Sequence, residues 1–97
     1  MAEYRLVREA EEELLSGVRF YNSQYPGFGA EFAREIQRLC RLIVESPDAG
    51  PEIRPNIRRR LVRRFPYSIL YTMQGVDVVV LAIAHQSRKP GYWESRA

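Results

Sequence analysis

The sequence is poor in the residues that cross-link small proteins or bind metals. Cys40 is the only cysteine, so no disulfide can form within the chain. His85 is the only histidine, and one cysteine with one histidine does not supply the ligands of a zinc site. We therefore expect packing alone to stabilise the fold, with no metal and no cofactor.

Long apolar runs are also missing. The most apolar stretch, residues 78–84, is far shorter than the roughly 20 residues that span a bilayer. The start of the chain does not join basic residues to an apolar segment. We expect a cytoplasmic protein without membrane contacts. A chain of 97 residues that is 45% hydrophobic suffices for one core and not for two, so we expect one domain over residues 1–97.

Lysine is almost absent, and the charge is unevenly distributed. Residues 1–52 contain six Arg against ten Asp and Glu, a formal charge of −4. Residues 53–97 contain eight Arg and one Lys against two acids, a formal charge of +7. An arginine-rich half favours a polyanion or an acidic partner, because guanidinium groups bind phosphate or carboxylate bidentately. The alternative is a basic sheet edge that only keeps a small domain soluble.

Apolar residues recur every three or four positions in two consecutive segments, which predicts two helices. The first should begin near Glu9, with a stripe of Ala10, Leu14, Val18, Tyr21 and Tyr25. YPGFG at 25–29 breaks the pattern. The second helix has a stripe of Phe32, Ile36, Leu39 and Ile43. Cys40 lies beside it as a small core filler, and the two helices should form a hairpin.

Outside the helices the period becomes two, which predicts strands. Residues 4–7 form a short first strand, and residues 57–65, 67–73 and 76–84 form an antiparallel meander. The last run is apolar on both faces, so it should lie centrally under the helices. The predicted fold class is α+β: a helical hairpin packed on a four-stranded antiparallel sheet, in the order strand, two helices, three strands.

The run IRRRLVRRF at 57–65 is the most basic part of the chain. Alternation along a strand predicts a core-seeking face with Ile57, Leu61 and Phe65. Arg59 and Arg63 share that face, so they should lie near its edge or pair with helix acids such as Glu35 or Glu45, because unpaired burial is costly. The opposite face carries Arg58, Arg60 and Arg64 with Val62.

Several motifs together resemble one family. In order along the chain they are FYNSQYPGFGAEF, ESPDAGP, RRRLVRRFPYSILY and VVVLAIAHQSRKPGYWESR. They are similar to the RelE/ParE superfamily of bacterial type II toxin–antitoxin toxins, and the resemblance covers nearly the whole chain. It implies a RelE/ParE-like fold and a growth-inhibiting toxin that a cognate antitoxin protein neutralises within a toxin–antitoxin hetero-oligomer.

The resemblance implies two alternative targets. RelE-like members cut mRNA in the ribosome, whereas ParE-like members inhibit DNA gyrase on the same fold without chemistry of their own. Because the end of the chain is aromatic and basic, which suits RNA, the sequence favours the ribosome-dependent mRNA endonuclease, an mRNA interferase. The ParE-like inhibitor is the first alternative, and a family member kept only as a repressor partner is the second.

The candidate site is AHQSRKPGYW at 84–93, which holds the only histidine, lysine and tryptophan. RNA cleavage by its own 2′-hydroxyl needs a base, a cation and an acid. His85, Arg88 and Tyr92 have these groups and are the candidate catalytic residues. The candidate nucleic-acid or target-binding residues are Arg58, Arg59, Arg60, Arg63, Arg64, Lys89 and Trp93. In the structural alternative His85 ends a strand, while Tyr92 and Trp93 pack on the sheet.

The resemblance also shows departures from RelE-like nucleases. Ser68 and Gln86 stand where those enzymes have arginines that the resemblance implies are catalytic. If the chain is a nuclease, Arg88 and the arginines at 58–60 would have to replace those two cations.

Overall fold

The computed structural model describes residues 1–97 and contains two helices packed on one face of a five-stranded mixed sheet. The helices are α1 (Arg8–Gln24) and α2 (Phe28–Glu45). The strands are β1 (Tyr4–Leu6), β2 (Glu52–Arg54), β3 (Ile57–Leu61), β4 (Tyr67–Gln74) and β5 (Asp77–His85). A 3-10 turn at Glu94–Arg96 lies near the chain end. No helix combines the length and the apolar composition that crossing a membrane requires.

The sheet differs from the predicted one in two respects. Its order is β1-β5-β4-β3-β2, and β1 pairs parallel to β5, whereas every other pair is antiparallel. The fifth strand is β2, which the sequence does not indicate because it has only three residues, of which Ile53 alone is apolar. The prediction of a four-stranded, wholly antiparallel sheet is therefore corrected, while the α+β class and the helical hairpin are confirmed.

The last strand, β5, has neighbours on both sides and apolar residues on both faces, as predicted. Val78 and Val80 point to the helices and belong to the main core, which also contains the α2 stripe of Phe32, Ile36, Leu39 and Ile43. The opposite face, which we call the open face, carries a second cluster with Ile57, Leu70, Val79, Leu81, Ala82 and Trp93. Cys40 is fully buried in the main core, as expected of a filler.

Two glycines let α1 and α2 pack closely at the hairpin. A methyl group on Gly29 would overlap the Val18 backbone carbonyl, and one on Gly17 would overlap the ring of Phe32. The Gly29 backbone N–H also donates to the Asn22 side chain at 2.8 Å. Tyr25, which the sequence placed on the α1 stripe, is 53% exposed instead. The reason is that α1 ends at Gln24 and Tyr25 continues in an extended conformation.

The predicted alternation from 57 to 65 is wrong beyond Leu61, where β3 ends. A turn follows, in which Arg64 has a left-handed backbone with φ 71°. Because of the turn, Val62 and Phe65 both enter the main core, whereas Leu61 lies on the open face and is 63% exposed. The core-seeking face predicted for Leu61 is thereby corrected.

Candidate functional site

A cleft of about 540 Å³ lies on the open face of the sheet, beneath residues 86–97, which we call the tail. The sheet contributes Ile53, Arg54, Arg59, Leu61, Ser68, Leu70, Ala84 and His85. The tail contributes Gln86, Arg88, Lys89, Pro90, Gly91, Tyr92 and Trp93. The cleft therefore brings together all three candidate catalytic residues and three of the candidate binding residues, Arg59, Lys89 and Trp93.

The cleft has an apolar floor and a cationic rim. Leu61, Leu70 and Trp93 form part of the floor, and the Trp93 side chain is only 4% exposed. The cations around it are Arg54, Arg59, Arg88 and Lys89, and no Asp or Glu is among the lining residues. Arg54 and Leu61 were not among the candidate site residues from sequence. Arg54 follows a loop of turn residues, and Leu61 had been assigned to the core.

His85 ends β5, and its ring is half-buried. Its Nδ1 accepts the Ser87 backbone N–H at 3.0 Å and lies 2.8 Å from the Ser87 hydroxyl oxygen. Nδ1 of the ring therefore already has a hydrogen-bond donor within the chain. The ring also packs edge-on against Tyr67, with centroids 5.0 Å apart. These contacts fit the structural role of a strand-end histidine.

The Tyr92 hydroxyl donates to a carboxylate oxygen of Glu13 at 2.6 Å. Burial raises the pKa of Tyr92 well above its ordinary range, and the neighbouring Glu13 carboxylate raises it further. Because a phenol with such a pKa keeps its proton at neutral pH, it is a poor acid and a poor base. The Arg88 guanidinium lies 3.9 Å from the centre of the Tyr92 ring, a cation–π contact.

Glu13 of α1 is the centre of the contacts around the tail. Besides Tyr92, its carboxylate accepts from the Arg96 guanidinium at 2.9 and 3.2 Å and from the Ile83 backbone N–H at 3.0 Å. An Arg88 nitrogen lies 3.9 Å away. No sequence pattern indicates this role, because Glu13 lies outside the apolar stripe of α1 and its partners are 70 or more positions away.

The arginines at 58–64 do not form one group, because their side chains point in different directions from β3 and from the turn that follows it. Arg59 is exposed and lines the cleft. Arg58 donates to the carbonyls of Gly50 and Asp48, at 2.7 and 3.2 Å. Arg64 pairs with Glu31 at 2.8 Å.

Arg60 is half-buried and Arg63 is exposed, and neither lines the cleft. The pairing expected between Arg59 or Arg63 and the acids Glu35 or Glu45 is not formed. Instead, Glu35 makes its ion pair with Arg38 on the same helix. Nowhere do three His, Cys, Asp or Glu side chains lie close enough together to hold a metal ion.

The sequence matches one family model, and the fold is similar to those of solved structures. Residues 4–90 match the sequence model of a family described as the ParE toxin of the type II toxin–antitoxin system parDE. The fold is similar to the chromosomal ParDE toxin–antitoxin system of P. aeruginosa, with a TM-score of 0.74, 21% identity and coverage of 88% of this chain and 95% of that one.

A second similar structure is the isolated E. coli RelE toxin, with a TM-score of 0.64 and 18% identity over 95% of this chain and 92% of that chain. No curated protein sequence matches the chain.

Proposed function

Because the chain belongs to the ParE toxin family of type II toxin–antitoxin systems, we propose that it inhibits DNA gyrase by binding it, without catalysing a reaction. The family match over residues 4–90 is the observation that carries this choice of target. It favours the ParE-like alternative over the mRNA endonuclease that the sequence had favoured. As a type II toxin the protein pairs with an antitoxin, and we propose that the two form a hetero-oligomer.

The geometry of the cleft supports binding rather than chemistry. A general acid or base must be free to reach the substrate proton. The Tyr92 hydroxyl is bonded to Glu13, and the Nδ1 of His85 is bonded to Ser87. Ser68 and Gln86 line the cleft where the resemblance to RelE-like nucleases implies arginines. The cleft thus lacks two expected cations, and its acid and base candidates already have partners.

The same cleft is suited to a protein surface. Protein interfaces have an apolar centre, and arginine is enriched in them. Here the exposed side chain of Leu61 lies among Arg54, Arg59 and Arg88. We propose that this surface contacts an acidic region of gyrase and that the antitoxin prevents the contact.

The second candidate function is the ribosome-dependent mRNA endonuclease. One observation favours it: His85, Arg88, Lys89 and Tyr92 line a single cleft beside Trp93, as a nuclease site built from this segment would require. In this mechanism His85 and Tyr92 must exchange their present partners for RNA, and Arg88 must leave the Tyr92 ring to reach the phosphate.

Induction of the toxin alone in growing cells distinguishes the two functions. We expect thymidine incorporation to stop and an SOS reporter to respond while methionine incorporation continues. Early loss of methionine incorporation together with cut mRNA would instead identify the endonuclease. Co-expression with the neighbouring small open reading frame should restore growth, and co-purification of the two products would identify the antitoxin.

A further inference from the structure

The tail covers an edge of β5 without forming a strand. β1 pairs only with Val78, Val79 and Val80, so the remainder of this edge has no neighbouring strand. In the part of β5 that follows Val80, the Ile83 backbone N–H donates to Glu13 at 3.0 Å, and the Leu81 carbonyl accepts from Arg96 at 3.2 Å. The Glu13–Arg96 ion pair thus satisfies backbone groups that a strand would otherwise satisfy.

The carboxylate of Glu13 also contacts the tail at several points. It accepts from Tyr92 and Arg96, and Arg88 lies within ion-pair distance. The side chains of Glu13 and Arg96 are 14% and 13% exposed, so water screens their pairing little. Breaking a buried pair by removing one partner is costly because the other charge stays buried.

We infer that Glu13 is a positioning residue for the cleft: its carboxylate on α1 holds the tail against β5 and so sets the position of the tail residues that line the cleft, Arg88, Tyr92 and Trp93. Glu13 itself is not among the residues that line the cleft. It acts through the tail, whose residues Tyr92 and Arg88 it contacts directly. The consequence for toxicity rests on the proposed function, whereas the consequence for the tail does not.

Glu13→Gln tests this inference, with Glu12→Gln as the matched control. Both variants remove one negative charge from the same helix, but Glu12 is exposed and makes no ion pair or side-chain hydrogen bond. Trp93 is the only tryptophan, so its fluorescence reports the tail alone. Hydrogen exchange over 88–96 and at the Ile83 amide gives an independent measurement, and circular dichroism reports whether the helices remain folded.

We expect Glu13→Gln to shift the Trp93 emission to longer wavelength, to make the ring accessible to acrylamide, and to speed exchange of the tail amides by about tenfold. Glu12→Gln should match the parent protein in each measurement. Unchanged Trp93 quenching and tail exchange in folded Glu13→Gln would overturn the inference.

If Glu13→Gln does not fold, the same measurements are made on Glu13→Asp. Aspartate keeps the negative charge beside Arg96, but its side chain is one methylene too short to keep all the contacts of Glu13. It should loosen the tail in the same way; an unchanged tail would again overturn the inference. Growth inhibition is measured on the same variants, and we expect it to be weaker in the variants whose tail is less ordered. A loosened tail with full growth inhibition would support the anchoring role and contradict the proposed use of the cleft.

Discussion

The phenol oxygen of Tyr92 lies 2.6 Å from a carboxylate oxygen of Glu13, although 79 positions separate the two residues in the chain. The contact joins the tail to α1 and keeps the Tyr92 hydroxyl protonated, because burial and the carboxylate both raise its pKa. A residue that looked like a catalytic acid in the sequence is thus bonded within the fold. Binding by this surface and catalysis within it therefore respond differently to substitutions in the cleft.

His85→Gln should retain most of the growth inhibition. If the cleft only binds, losing one ring contact weakens the inhibition by less than about tenfold. If His85 is a catalytic base, the loss is roughly 10²- to 10⁴-fold in rate. The measurement is the inducer concentration that halves growth, with melting curves to show that the variant folds. Complete relief of inhibition in a folded variant would contradict the binding mechanism.

Arg59→Ala should weaken target binding by about tenfold, whereas Arg63→Ala should change it by less than about twofold. The two arginines are four positions apart and both are exposed, but only Arg59 lines the cleft. Both variants lose the same net charge, which controls for long-range attraction. Affinity for purified gyrase, measured at two salt concentrations, tests the difference. Equal losses would show that general positive charge, and not the cleft, determines binding.

Gly29→Ala should destabilise the fold by about 1–3 kcal/mol, because the added methyl overlaps the Val18 backbone carbonyl and the helices must separate. This exceeds the gain in helix propensity from glycine to alanine, about 1 kcal/mol at most. Urea unfolding gives the free energies, and Ser16→Ala, at an exposed helix position, should stay within about 0.5 kcal/mol of the parent. A stabilised Gly29→Ala would contradict the close helix contact.

Cys40 should make the stability fall above pH 9. Burial raises the pKa of its thiol from 9.0 to about 12, so only the unfolded chain releases the proton between these values. The unfolded state then binds fewer protons, and the free energy of unfolding falls by up to about 1.4 kcal/mol per pH unit. Below pH 9 this stabilisation is fully present. Urea unfolding at pH 8, 9 and 10 tests the slope, which Cys40→Ala should reduce most clearly between pH 8 and 9, because the tyrosines whose pKa folding raises, such as Tyr92 and Tyr67, add to the slope only towards pH 10.

The helices could be predicted from the sequence because their signals are local. The α2 stripe of Phe32, Ile36, Leu39 and Ile43 has helical spacing, and all four side chains are at most 2% exposed. The failures concern contacts between distant parts of the chain. Neither the parallel pairing of β1 with β5 nor the choice of Glu13 as the partner of Tyr92 leaves a periodic pattern.

The arginine-rich run shows why the candidate site was only partly predictable. Alternation correctly separates Arg59 from Arg58 and Arg60, since neighbouring strand residues point to opposite faces. It could not show that β3 ends at Leu61, because the following turn depends on Arg64 adopting a left-handed conformation that is uncommon for arginine. Val62 and Phe65 therefore enter the main core, whereas Leu61 follows the alternation onto the open face with Ile57 and Arg59 and lines the cleft.

The most direct test of a toxin that acts by binding gyrase is a supercoiling assay with the purified chain, run in parallel with cell-free translation of a defined mRNA. We expect inhibition of supercoiling at concentrations that leave translation and the mRNA intact, with prior addition of the antitoxin restoring gyrase activity. Normal supercoiling together with cleavage of the ribosome-bound mRNA would contradict this account.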